Sequence, residues 1–199
     1  MTSVSSALHT LTRRVHGVRL YAPSRRHIDL FAPGYFFLTT DTANVLRWLA
    51  SEAMRAGAKI LYRARFEGAH REGGVFRFHG LNIAARYILG TDGARSAVAR
   101  AFGLGVNRRF LTGLEIEYEG LSGADPRFLH CFIDSRLAPG YLGWVAPGPV
   151  VTQAGLFAII AEAQPARRPV GRQFQRLFHQ LDRGRIVTFF GQHAGIIHA

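Results

Sequence analysis

The stretch with the clearest chemical potential is Tyr87-Ile88-Leu89-Gly90-Thr91-Asp92-Gly93-Ala94-Arg95-Ser96-Ala97-Val98-Ala99-Arg100. An apolar run, two glycines flanking an acid and then a helix-compatible segment predict a strand, a tight turn and a helix start. Gly90 and Gly93 carry no Cβ, so the backbone there can come close to a ligand. Asp92 can accept hydrogen bonds from a ribose or from water on a pyrophosphate. Amides at the start of the helix would add partial positive charge where a phosphate could lie, and Ser96 could cap that helix or bond the ligand. Asp-Gly alone is an ordinary turn with an Asx-type aspartate. The whole string is more specific, and it reads as a dinucleotide-contacting turn.

The elements that must position this turn follow from periodicity. Val15 to Tyr21 and His27 to Phe31 read as short strands about the turn-like Ala22-Pro23-Ser24. A helix is predicted from about Ala43 to Ala56, capped by Asp41 or Thr40 and stopped by Gly57. Its apolar face comprises Val45, Leu46, Leu49, Ala50, Ala53 and Met54. Strands are then expected at Lys59 to Phe66, Val75 to His79 and Ala85 to Leu89, the first two joined at Gly73-Gly74. Beyond Gly105 the segments Leu111 to Tyr118, Phe128 to Ile133, Tyr141 to Val145 and Val150 to Ala161 predict an antiparallel sheet. An amphipathic helix through Val170, Phe174, Leu177, Phe178 and Leu181, and a strand at Arg185 to Phe190, follow.

Composition narrows the function classes. The 199 residues are 48% hydrophobic and 19% charged, as in an ordinary globular chain. No run approaches the roughly 20 apolar residues of a membrane span, and no secretory h-region is seen, so a cytoplasmic location is expected. Cys131 is the single cysteine, which excludes an internal disulfide and a cysteine-based zinc site; its alternating surroundings suggest a buried small hydrophobe. The nine histidines include no His-x-x-x-His pair, so no metal site is expected. The net charge of +12 rests on dispersed arginines rather than on one basic run, which disfavours a nucleic-acid partner. A Gly-x-Ser-x-Gly hydrolase elbow is absent.

The Tyr87 to Leu104 segment resembles the DG motif of FAD-dependent aromatic hydroxylases and geranylgeranyl reductases, commonly apolar–Ile–Gly–Ala–Asp–Gly–x–x–Ser–x–Val–Arg. Ile88, Gly90, Asp92, Gly93, Ser96, Val98 and Arg100 match; Thr91 replaces the alanine, and Ala99 is inserted before the arginine. Gly17 to Ser24, Leu46 to Ala50 and Ala56-Gly57-Ala58 resemble the strand and helix that precede the motif in that family. Trp144, Pro147 and Gly155 fall where the reductases carry Tyr-x-Trp-x-Phe-Pro…Gly-x-Gly along an isoprenoid cavity, with Tyr141 one position early. Ala146 replaces the phenylalanine and Phe157 the final glycine. Thr42 stands where the family commonly has an arginine. No Gly-x-Gly-x-x-Gly occurs, and the family's Gly-Asp ribitol motif is not found either.

The resemblance implies an α/β to α+β fold. Residues 1–106 would form a partial FAD/NAD(P)-binding domain (helix, β-meander, DG turn), and residues 107–199 an antiparallel-sheet substrate domain truncated at its C-terminus. It implies FAD as cofactor, reduced by NADPH or NADH, and reduction of a prenyl C=C bond; an aromatic-type monooxygenase and a noncatalytic remnant are the alternatives. The residues expected at the cofactor are Gly90, Asp92, Gly93, Ser96 and Arg100, and at the substrate Tyr141, Trp144, Pro147 and Gly155. No catalytic side chain is named, because the isoalloxazine carries the chemistry. For full-length relatives the resemblance also implies contact with a membrane surface.

Overall fold

The computed structural model describes residues 10–105, 107, 108, 110–159 and 185–195, and the expected helix through Val170 and Leu181 lies outside them. Among the described residues, those up to Ala58 group with those from Thr112 to Gln192, while Lys59–Leu111 and the residues from His193 form a second compact unit. The sequence reading, in contrast, places one boundary after residue 106.

The first unit is built on a seven-stranded sheet. In chain order its strands are β2 (Gly17–Tyr21), β3 (His27–Phe31), β8 (Phe110–Glu119), β9 (Phe128–Phe132), β10 (Gly143–Pro147), β11 (Thr152–Ile159) and β12 (Arg185–Gly195). The spatial order is β12-β8-β11-β10-β9-β2-β3. The expected antiparallel meander of the C-terminal half is present in the β9–β10 and β10–β11 ladders. The expected division of the strands does not hold. β2 and β3, assigned from sequence to the nucleotide-binding part, extend this sheet, with β2 parallel to β9. A separate ladder pairs β1 (Thr12–Val15) with β4 (Phe37–Thr40). The chain breaks between β1 and β2 because the amides of His16 and Gly17 both donate to the carbonyl of Arg127.

Side chains alternate across the sheet. One face holds Val145, Ala154 and Leu156, which join Ile116, Tyr118 and Ala138 in the buried core. Helix α1 (Thr42–Arg55) follows β4. Its caps are those expected: Asp41 Oδ1 accepts from the Asn44 amide at 3.1 Å, and Gly57 follows the last turn with a left-handed φ of 94°. Among the described residues its apolar stripe is only partly covered: Leu46 is 60% and Leu49 48% exposed.

The second unit holds a three-stranded sheet of β5 (Ala69–Glu72), β6 (Val75–Phe78) and β7 (Ala84–Ala85), followed by α2 (Ala97–Ala101). Gly73 and Gly74 have φ of 56° and 82°, the pair of positive values a tight type I′ hairpin needs. The strand entering that hairpin is β5, not the expected Lys59 to Phe66. That segment is irregular, and Arg63 at φ 59° interrupts any extended run. The expected strand Ala85 to Leu89 also shrinks to the β7 dipeptide. Tyr87 and Leu89 are 80% and 83% exposed and pair with no strand among the described residues. The apolar side of the hairpin packs Phe76 against Phe102 and Phe78 against Phe66.

Candidate functional site

The five residues expected at the cofactor lie together in one turn-and-helix segment of the second unit; Ser96 caps the helix, one of the two roles expected of it, while Asp92 takes a different role from the one expected. The Asp92 carboxylate points back into the chain. Its Oδ1 accepts from Ser96 Oγ at 2.5 Å, and its Oδ2 accepts from the amides of Ala97 at 2.6 Å and Val98 at 3.1 Å. Ser96 Oγ accepts in turn from the Ala99 amide at 2.9 Å. The first amides of α2 are thus satisfied by the chain's own side chains, and Asp92 serves as a helix cap rather than an outward acceptor. The Ser96 hydroxyl, with the Val98 and Ala97 amides, holds the Asp92 pKa below the ordinary carboxylate value.

Gly90 is explained by packing. A Cβ there would lie 2.9 Å from the Cβ and Cγ1 of Val98, the buried residue of α2. Gly93 is the outward-facing member, with φ 84° and open space where a Cβ would stand. Arg100 donates to the Arg95 carbonyl at 2.6 Å, and Asn107 Nδ2 to the Ala94 carbonyl at 3.0 Å, so the turn is braced at two successive carbonyls. The sequence reading missed Asn107, since a lone asparagine after a Gly-x-Gly carries no signal. Arg95 lies 4.9 Å from the Phe110 ring centroid.

One expected result follows directly. Asp92→Ala should leave the Ala97 and Val98 amides without partners and fray α2, so hydrogen exchange at both should accelerate markedly. Asp92→Asn should preserve part of the protection, because its carbonyl oxygen still accepts. Exchange unchanged in Asp92→Ala would refute the capping role.

Of the four residues expected at the substrate, three share one surface of the first unit. Trp144 stands opposite Gly155 in the β10–β11 register, and its indole lies over that glycine, in the space a Cβ would fill. Phe157 stacks on Trp144 at 5.0 Å and covers Gly113 of β8 in the same manner. The Tyr141 ring meets Phe157 edge-on at 5.6 Å. Phe157 and Gly113 were missed, although a lone glycine inside a strand pattern signals close approach. The phenylalanine that replaces the expected second glycine finds its own glycine one strand away. Pro147 is not part of this cluster. It sits three residues from Trp144, on the opposite face by strand alternation, and its carbonyl accepts from Thr39 Oγ1 at 2.7 Å.

The Trp144 row continues across the sheet through Cys131, Leu20 and Ile28. Cys131 is buried as expected, and burial raises its thiol pKa, so the row contributes no ready thiolate. Five strands at the usual spacing make an apolar band about 19 Å wide. The opposite face carries a polar cluster with no counterpart in the sequence reading. His130, 2% exposed, accepts at Nδ1 from Tyr21 Oη at 2.9 Å while its Nε2 donates to the Asp125 carbonyl at 3.0 Å. Among the described residues no three His, Cys, Asp or Glu side chains converge as a metal site, and no helix is long and apolar enough to cross a membrane.

Comparison with known proteins finds likeness in sequence and in fold. No protein-family model matches the chain. The digeranylgeranylglycerophospholipid reductase of Methanothrix thermoacetophila is 27% identical over 173 residues, covering 78% of this chain and 43% of that protein. The geranylgeranyl bacteriochlorophyll reductase-like protein of Thermoplasma acidophilum superposes with a TM-score of 0.74 at 21% identity, covering 92% of this chain and 50% of that one. A probable FAD-dependent monooxygenase of Pseudomonas aeruginosa gives a TM-score of 0.56 at 16% identity, covering 78% of this chain and 46% of that one. The chain therefore spans about half the length of the relatives it matches. The resemblance read from the DG motif holds in both sequence and fold.

Proposed function

We propose that this chain, which carries about half of the fold shared by geranylgeranyl reductase-like flavoproteins, is a segment of an FAD-dependent oxidoreductase acting on an apolar, prenyl-type substrate. The observation that carries this reading is the Trp144–Phe157–Tyr141 surface laid over Gly155 and Gly113, with the apolar row beyond it. An aromatic wall whose polar points are the Tyr141 hydroxyl and the Trp144 indole N–H suits a ligand recognised mainly by shape and dispersion.

The residues present fit FAD through backbone more than through side chains. The exposed turn at Gly93 has room for close approach of a pyrophosphate, whereas the Asp92 carboxylate is engaged within the chain. FAD, when bound, supplies the hydride chemistry, with NADPH or NADH as the reductant. The chain's own contribution is to orient the substrate along the sheet and to exclude water from it. Gly93 and its neighbours would hold the dinucleotide, while Ser96 and Arg100 keep the turn in shape. A monooxygenase is the second reading, favoured by the fold likeness to the Pseudomonas aeruginosa enzyme.

Two titrations of the full chain test the proposal. With Trp48→Phe leaving Trp144 as the sole tryptophan, geranylgeraniol should quench or shift Trp144 emission; followed by equilibrium partition of labelled geranylgeraniol, Trp144→Leu should weaken binding about tenfold, near 1.4 kcal/mol. Added FAD should be retained on gel filtration with its visible bands. A colourless protein that ignores FAD, with Trp144 emission indifferent to the prenyl alcohol, would overturn the reading.

A further inference from the structure

We propose that His70 and His79 form a two-histidine clip for a borderline divalent transition metal such as Ni²⁺, Cu²⁺ or Zn²⁺. The two lie nine positions apart in sequence, a spacing with no ligand signature. The β5–β6 hairpin makes them neighbours: His70 stands opposite Arg77, and the His79 amide donates to the Gly68 carbonyl at 2.9 Å. They are therefore diagonal partners on one face of the ladder, the face turned away from Phe76 and Phe78.

The side chains converge. His70 Nδ1 lies 3.2 Å from His79 Nε2, with the rings 29° from parallel. Two imidazole nitrogens on one metal at about 2.0–2.1 Å, held 3.2 Å apart, subtend an angle of about 100–106°, close to tetrahedral. A cation bound to both nitrogens would replace the proton of this hydrogen bond. If His70 is the donor, moving that proton to its Nε2 frees both lone pairs, so neutral rings need lose no proton. The position of His79 depends on a glycine, since a Cβ at Gly68 would lie 2.9 Å from His79 Nδ1. Arg77, on the same face, is paired with Glu72, which reduces its repulsion of a cation. Both imidazoles are exposed, so water can complete the coordination sphere. Imidazole is a good donor for all three metals, which singles out this class over Mg²⁺ or Ca²⁺.

Equilibrium dialysis of the full chain against Ni²⁺ or Zn²⁺ alone tests the clip, with His70→Gln and His79→Gln compared to the unaltered protein. Each substitution should weaken one bound equivalent by about tenfold or more, because one imidazole cannot chelate. Gly68→Ala, which keeps both rings but displaces one, should weaken the same equivalent. Far-UV circular dichroism checks that each variant remains folded, as is expected of the two glutamine changes at exposed positions. Uptake unchanged in both glutamine variants would overturn the proposal and assign the metal to other histidines. Loss in only one of them would also overturn it, since that is single-histidine binding.

Discussion

Gly155→Ala is expected to expel the Trp144 indole from the sheet and to destabilise the chain by roughly 1–3 kcal/mol, the usual cost of forcing a methyl into packed space. The reason is local and steric: the indole occupies the position the new Cβ requires. Three arrangements can relieve the clash, and each has a cost. The indole can swing outward and lose its stacking on Phe157, β11 can shift against β10, or Trp144 can adopt a poor rotamer. Emission of Trp144 in a Trp48→Phe background should move to longer wavelength as the ring meets water, and the urea midpoint should fall. Trp144→Ala combined with Gly155→Ala should cost less than the two single changes summed, because removing the ring removes the clash. A strictly additive cycle with unshifted emission would mean that the indole does not rest on Gly155. The same change should abolish the response to a prenyl alcohol, so stability and binding are expected to fail together.

His130→Ala should be the costliest single change on the other face, on the order of 2–4 kcal/mol. It removes a buried ring and leaves two groups without their partner, the Tyr21 hydroxyl and the Asp125 carbonyl. Tyr21→Phe removes one hydrogen bond and keeps the aromatic stack on Phe132, so about 1 kcal/mol is expected. The pH dependence separates this site from the acidic ones. Burial lowers the His130 pKa from its ordinary 6.5. Below about pH 6.5 the unfolded chain takes up a proton that the folded chain resists, so stability falls with acidification until the lowered folded value is passed. Asp125, Asp134 and Asp92 are also lowered, chiefly by Arg127, Arg136 and the Ser96 hydroxyl respectively. Their contributions are present above the ordinary carboxylate range and are lost as the pH falls through it. Urea midpoints between pH 7 and 5 should therefore decline in the unaltered protein and flatten in His130→Ala. An equal decline in both would exclude His130 as the source.

Local rules were sufficient for several elements. Asp41 and Gly57 bracket α1 because a carboxylate can accept from the third helical amide and only glycine takes a left-handed φ without strain. The same reasoning placed the Gly73-Gly74 hairpin and the burial of Cys131. Where a partner had to be chosen, local rules were insufficient. Lys59 to Phe66 and Arg86 to Leu89 have the composition of strands, yet they have no ladder among the described residues, because a strand is completed by hydrogen bonds to another segment. Pairing of β2 with β9 joins residues more than a hundred positions apart and left no trace in either strand's pattern.

The candidate site divides along the same line. Residue types indicated a glycine-rich turn ending in a capped helix, and the family resemblance singled out Trp144 and Gly155. Tertiary structure decided the direction of each group. It turned the Asp92 carboxylate inward onto helix amides, placed Pro147 on the far face from Trp144, and supplied Gly113 as the seat for Phe157. It also brought His70 against His79. The physical reason is that turn, cap and periodicity are consequences of bonds within a few residues. Face, register and contact depend on which distant strand donates the next hydrogen bond, and a single residue's shift in that choice sends every side chain to the opposite face.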